Sequence, residues 1–176
     1  FATAPQLGWQ SHDTVADVTP GGGSNPTLVN NVETLSNIPH ILVNGPEWFR
    51  TMGTIESPAT IVTTVVGDVV GPDVGEVEMG TSLRDVIDAV GSGLATGRSV
   101  KAVFPGVANA VVTGADLDVP VSYEGFEGIG SGMGSAGFIV FDDEADPVAV
   151  AQGISRFLAV ESCGQCEPCK RDGIAL

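Results

Sequence analysis

The run Ala59-Thr60-Ile61-Val62-Thr63-Thr64-Val65-Val66-Gly67-Asp68-Val69-Val70 is rich in β-branched residues, which suit a pleated surface. It is followed by Gly71-Pro72-Asp73, a turn tripeptide. Gly75-Glu76-Val77-Glu78-Met79 then alternates like a half-exposed strand. In the next stretch, Leu83, Val86, Ile87 and Val90 share one helical face, with a hydroxyl cap in Gly80-Thr81-Ser82 before it and Gly91 available to close it. Strand, strand, helix is the order that decides the fold.

Working outward, Val100 to Phe104 reads as another buried strand, turned by Pro105-Gly106, and residues 136–141 read as the last strand after a polar loop. The expectation is an α+β fold, a small sheet with one packed helix, and the element order points to a β-grasp-like arrangement. Upstream, Val32, Leu35, Ile38 and Leu42 recur at helical spacing, and Pro39 is expected to interrupt or restart that helix. A short helix is expected over residues 46–52, with Trp48 and Phe49 as packing anchors and His40 as a structural neighbour. Residues 1–26 have little periodicity and read as irregular, with His12 solvated. Their Gly21-Gly22-Gly23 run lacks the Lys-Ser/Thr of a phosphate loop.

Downstream, Gly128-Ile129-Gly130-Ser131-Gly132-Met133-Gly134-Ser135-Ala136-Gly137 resembles a nucleotide fingerprint only superficially. Such a loop follows a strand and opens a helix, whereas this run leads into the apolar strand around Phe138. A close, glycine-lined approach to neighbouring structure is the better reading. The last helix has a clear start, with Asp146 as N-cap and Pro147 at the first position. Val150, Ile154, Phe157 and Leu158 are expected to form its buried stripe.

That helix leads to Glu161-Ser162-Cys163-Gly164-Gln165-Cys166-Glu167-Pro168-Cys169, which holds all 3 cysteines of the chain. Two consecutive C-x-x-C spacings gather three thiolates, a common grip on an iron–sulfur cluster. A cubane cluster needs a fourth ligand. Zinc needs four as well, and only His12 and His40 are on offer, both distant in sequence. A redox disulfide would leave one thiol over. The spacing favours iron–sulfur without excluding the others, and free thiols argue for a reducing compartment.

Composition narrows the partners. The net charge is −15, from 22 acids against 7 bases. Such a field repels nucleic-acid phosphates and anionic lipid headgroups. No apolar run approaches the roughly 20 residues of a membrane span. The amino end carries neither an initiator Met nor a signal-like segment, and the chain stops soon after Cys169, so both ends read as those of a fragment.

Three stretches together carry a resemblance. Pro26-Thr27-Leu28-Val29-Asn30-Asn31-Val32-Glu33-Thr34-Leu35 resembles the flavin-contacting segment of the NADH-binding flavoprotein (F) subunit of respiratory complex I. Gly71-Pro72-Asp73-Val74-Gly75-Glu76-Val77 with Gly80-Thr81-Ser82-Leu83-Arg84-Asp85 resembles that subunit's SLBB domain, a soluble-ligand-binding β-grasp module. The cysteine motif is similar to its iron–sulfur signature. The resemblance runs from about Pro26 to Gly173 in the family's order.

The resemblance implies an oxidoreductase that takes hydride from NADH onto FMN and releases electrons singly to a [4Fe-4S] cluster. It implies cofactor contacts by Asn30, Asn31 and Thr34, and cluster ligation by Cys163, Cys166 and Cys169, with a fourth ligand outside the chain. Asn30-Asn31 also reads as a helix cap, and both roles are compatible. The implied domains are an irregular segment at 1–26, the helical end of an FMN/NADH-binding domain at 27–56, the SLBB domain at 57–143 and the start of a helical [4Fe-4S] domain at 144–176. Implied partners are other subunits of a complex I-like or diaphorase assembly, including a thioredoxin-like [2Fe-2S] subunit. No nucleic acid or direct membrane insertion is expected, and the location is cytoplasmic or peripheral on the cytoplasmic side of the inner membrane. The family's glycine-rich flavin and NADH loop has no counterpart here, so this polypeptide alone is expected to be inactive. Two alternatives stay open: a diaphorase subunit of a soluble hydrogenase or formate dehydrogenase, and a non-catalytic SLBB ligand-binding or scaffold module.

Overall fold

The computed structural model describes residues 30–106 and 109–161. The irregular segment expected at 1–26, His12, and Cys163, Cys166 and Cys169 lie outside the described residues. The chain divides into two compact units, Glu33–Ala145 and Phe1–Val32 with Asp146–Leu176.

The larger unit is built on a five-stranded mixed sheet, so the architecture is α+β. Strands β1 (Thr60–Gly67) and β2 (Asp73–Glu78) form an antiparallel pair joined by residues 68–72, so that Asp73, expected in the turn with Gly71 and Pro72, already pairs with Val65. Helix α3 (Leu83–Gly91) follows, after α1 (Val32–Asn44) and α2 (Pro46–Phe49) upstream. Strands β3 (Val100–Phe104), β4 (Val112–Thr113) and β5 (Gly137–Asp142) complete the sheet in the order β2-β1-β5-β3-β4. The last strand enters the middle, parallel to β1 and antiparallel to β3.

One face of the sheet carries the core. Val65, Val103, Phe138 and Val140 meet Leu83, Val86 and Ile87 of α3, the face that the helical spacing marks as apolar. Ser82 caps this helix by accepting from the Asp85 amide at 3.1 Å. The glycine at its end differs from expectation. Gly91 is the last helical residue, and Ser92 adopts the left-handed conformation at φ 58°. A Cβ on Gly91 would lie 2.7 Å from Val65 Cγ1, so glycine here permits close approach of helix and strand.

The segment read as a polar loop also supplies core. Leu117, Val119, Val121 and Phe126 are buried, the last on the short helix α4 (Tyr123–Gly128). Phe126 stacks on Phe138 with centroids 5.8 Å apart. Thr63, fully buried in β1, donates its hydroxyl to the Ala136 carbonyl at 2.7 Å, which satisfies it without water.

Two helices depart from their expected form. Helix α1 runs unbroken through Pro39. Proline removes one amide donor but its fixed φ is helical, and on a helix with no buried residue water can satisfy the freed carbonyl. Helix α2 stops at Phe49, short of the expected end at residue 52. In the other unit, helix α5 (Pro147–Val160) starts as expected, with Asp146 accepting from the Val148 and Ala149 amides at 2.9 and 3.3 Å. Its expected buried stripe is not buried. Val150 and Ile154 are half-buried, while Phe157 and Leu158 are 57% and 42% exposed. Apolar spacing marks a face fit for burial, and it does not provide the surface that buries it.

Candidate functional site

The amino end of α1 gathers neutral polar groups. Asn30 and Asn31 immediately precede the helix, and the Asn30 side-chain oxygen accepts from the Asn31 amide at 2.7 Å. Thr34 stands in the first turn, and all three residues are exposed. Exposed amides and a hydroxyl can hold the polar atoms of a cofactor without adding a titrating charge. Between them sits Glu33, half-buried, whose carboxylate accepts from the Val62 amide of β1 at 2.7 Å. The sequence gives Glu33 no role beyond its place in the motif, because a contact across 29 positions leaves no local signal.

His40 and Trp48 approach with ring centroids 6.3 Å apart, in keeping with a structural histidine. Among the described residues, no group of three or more His, Cys, Asp or Glu side chains is placed to hold a metal ion. The three cysteines follow α5, whose last turn closes with the Glu161 amide on the Phe157 carbonyl at 2.9 Å.

The glycine-rich run behaves as a packing element. A Cβ on Gly132 would sit 2.6 Å from Asn109 Oδ1, and one on Gly134, at φ 61°, would sit 2.7 Å from the Pro105 carbonyl. The run therefore lies hard against the turn after β3 and continues into β5, not into a helix.

Two polar clusters have no signature in the sequence. The Glu124 carboxylate accepts from the hydroxyls of Thr54 and Ser57, the latter at 2.6 Å, and Ser57 is nearly fully buried. These bonds, Ser57's first and Thr54's second, hold the Glu124 carboxyl down at about 2. The loop they clamp is tight: the Ala59 amide donates to the Met52 carbonyl at 2.7 Å, and the Gly53 amide to Glu78 Oε1 at 2.9 Å.

The second cluster centres on Arg98. Its guanidinium meets Asp142 at 3.0 Å, Asp143 at 3.7 Å and Glu144. The Glu144 hydrogen bond, chiefly, raises the Arg98 pKa against desolvation. Arg98 borders an open groove of about 470 Å³ with Arg84, Asp88, Leu94 and Leu117. Arg84 is itself paired with Asp118 at 2.9 Å, so both cations of the groove are already engaged and its grip on an anion is weak.

No protein-family model matches the chain. Over 152 residues it is 41% identical to the F 2 subunit of NADH-quinone oxidoreductase from Rhizobium meliloti (strain 1021), a match covering 86% of this chain and 36% of that protein. It is 42% identical over 146 residues to HndC, a subunit of the NADP-reducing hydrogenase of Solidesulfovibrio fructosivorans, covering 82% of this chain and 30% of that one. Among solved structures, the NAD+-reducing [NiFe]-hydrogenase in its air-oxidised state matches with TM-score 0.71 and 34% identity, over 89% of this chain and 26% of the other. The chain thus spans about a third of the length of the curated relatives it matches. No described helix is long and apolar enough to cross a membrane.

Proposed function

We propose that this chain is the middle segment of an NADH-oxidising flavoprotein of the F type found in NADH-quinone oxidoreductases, passing electrons from NADH through FMN to a [4Fe-4S] cluster. The observation that carries the reading is the 41% identity to such a protein over 86% of the chain, an extent that takes in Asn30 to Thr34. Bound FMN would accept two electrons as hydride, and the cluster would carry them onward one at a time.

The chain's own residues fit those groups by their chemistry. Asn30, Asn31 and Thr34 offer neutral donors and acceptors to FMN from the exposed start of α1. Cys163, Cys166 and Cys169 offer three thiolates at spacing suited to a cluster, with a fourth ligand from outside this chain. The order β2-β1-β5-β3-β4, with β1 and β5 parallel and α3 crossing between β2 and β3, supports reading residues 57–143 as a β-grasp-like SLBB domain. On this reading residues 27–56 close the flavin domain and 144–176 open the cluster domain. The partners are the other subunits of the assembly, including a thioredoxin-like [2Fe-2S] subunit, in the cytoplasm or peripheral on the cytoplasmic side of the inner membrane.

A second reading is favoured by the similarity to HndC and to the NAD+-reducing hydrogenase: a diaphorase subunit whose electrons serve a hydrogenase. The two share the first steps and differ in the acceptor. The test is iron, acid-labile sulfide and reduced-state EPR on the anaerobically purified parent subunit. About four irons per chain and a fast-relaxing S = 1/2 signal are expected. Absence of iron after reconstitution would leave a non-catalytic SLBB module as the better description.

A further inference from the structure

We propose that Glu33 is a positioning residue that holds the flavin-contacting turn of α1 to strand β1. This rests on the reading of Asn30, Asn31 and Thr34 as FMN contacts. The parallel ladder between β1 and β5 begins at Thr64, whose amide reaches the Ala136 carbonyl at 3.1 Å. Two residues upstream the Val62 amide donates instead to the Glu33 carboxylate at 2.7 Å. Glu33 thus caps the strand where its ladder partner has run out. A charged acceptor makes this one of the stronger kinds of hydrogen bond.

The tether adds to what burial of the helix supplies. Helix α1 has no buried residue, and its apolar side chains remain largely exposed, with Leu35 at 39% and Leu42 at 80%. Packing therefore does little to fix its orientation on the sheet. Thr34 is the next residue along, in the same first turn. Fixing Glu33 to a strand of the five-stranded sheet fixes the backbone that presents the Thr34 hydroxyl. A contact placed on a rigid element in this way is held more closely than one on a free helix end.

The experiment measures FMN affinity, by quenching of flavin fluorescence, together with amide exchange at Val62, in the full-length flavoprotein. Glu33→Ala is expected to weaken FMN about tenfold and to speed Val62 exchange, as for loss of a hydrogen bond to a charged group. Glu33→Gln, which keeps an acceptor, should recover most of both. Val62→Pro removes the donor and should weaken FMN like Glu33→Ala, and the double variant should be no worse than either single. Wild-type affinity in Glu33→Ala alongside weakened binding in Thr34→Ala overturns the tether and leaves the flavin contacts standing. So does a fully additive double variant. Wild-type affinity in both Asn31→Ala and Thr34→Ala overturns the flavin contacts, and the tether with them.

Discussion

Ser57 donates its hydroxyl to Glu124 Oε2 at 2.6 Å, joining the loop before β1 to helix α4 across 67 positions of sequence. Thr54 donates to the other carboxylate oxygen, and the Tyr123 amide reaches Ser57 Oγ at 3.4 Å. One carboxylate therefore closes the loop on itself and fastens it to the core helix that carries Phe126.

Replacing Glu124 by Ala strands the buried Ser57 hydroxyl and should cost about 1–3 kcal/mol. The folded carboxyl titrates at about 2, below its ordinary value of 4.5. Its contribution is accordingly full above about 4.5 and drains away as the pH falls toward 2. Urea unfolding of wild type and Glu124→Ala at pH 7 and pH 3 should show a gap that narrows on acidification. An equal gap at both would refute the clamp.

Gly91→Ala should destabilise the sheet unit although alanine favours helices. The gain in helix propensity is about 1 kcal/mol. Against it, the new methyl would come within 2.7 Å of Val65 Cγ1 and 3.2 Å of Val69 Cγ1, and overpacking of this kind costs about 1–3 kcal/mol. Val65 is fully buried and cannot swing aside. A lowered melting temperature, restored in part by the double variant Gly91→Ala/Val65→Ala, is the expected result.

Arg98→Met should lower the melting temperature in dilute buffer, with the loss shrinking as salt is raised, because the four-membered charge cluster is partly exposed. The Asp143 carboxyl is held below its usual value, chiefly by the Ser99 amide at 3.1 Å and further by Arg98. Its support is present above the ordinary carboxylate range and lost as the pH falls below it. A melting difference indifferent to salt would mean that Arg98 works by packing.

If the proposed function holds, Cys166→Ser in the longer parent protein should abolish the reduced-state cluster signal while FMN stays bound. The cysteine motif and the Asn30–Thr34 stretch occupy separate parts of the sequence. Simultaneous loss of flavin would show that the two sites depend on each other.

The sheet was legible wherever residue types or spacing matched one kind of element. β1, β3 and β5 follow short runs rich in Val, Ile, Thr or Phe, α3 follows an apolar face at helical spacing, and each falls within a few residues of its expected bounds. The segment between β3 and β5 was harder to read: Leu117, Val119 and Val121 are buried and alternate with Asp118 and Pro120, but they lie in no strand, in a stretch rich in turn-forming residues, so their alternation did not mark them as core. Helix α5 shows the opposite failure, a clear stripe that stays largely exposed. Asn30, Asn31 and Thr34 stand out through a motif, whereas the partners of Glu33 and Glu124 depend on tertiary neighbours that spacing cannot reveal.

The strand at the centre of the sheet is also the last of its strands to be synthesised. Until Gly137–Asp142 leaves the ribosome, β1 and β3 have no partner between them, and the hairpin, α3 and the β3–β4 pair must wait as separate pieces. Closure joins residues more than 70 positions apart, a slow step because loop entropy must be met before the long-range pairing rewards it. The nascent chain therefore carries two open, valine-rich strand edges while the intervening residues are made. It is during that interval, not in the finished fold, that it is most exposed to aggregation and most in need of a chaperone.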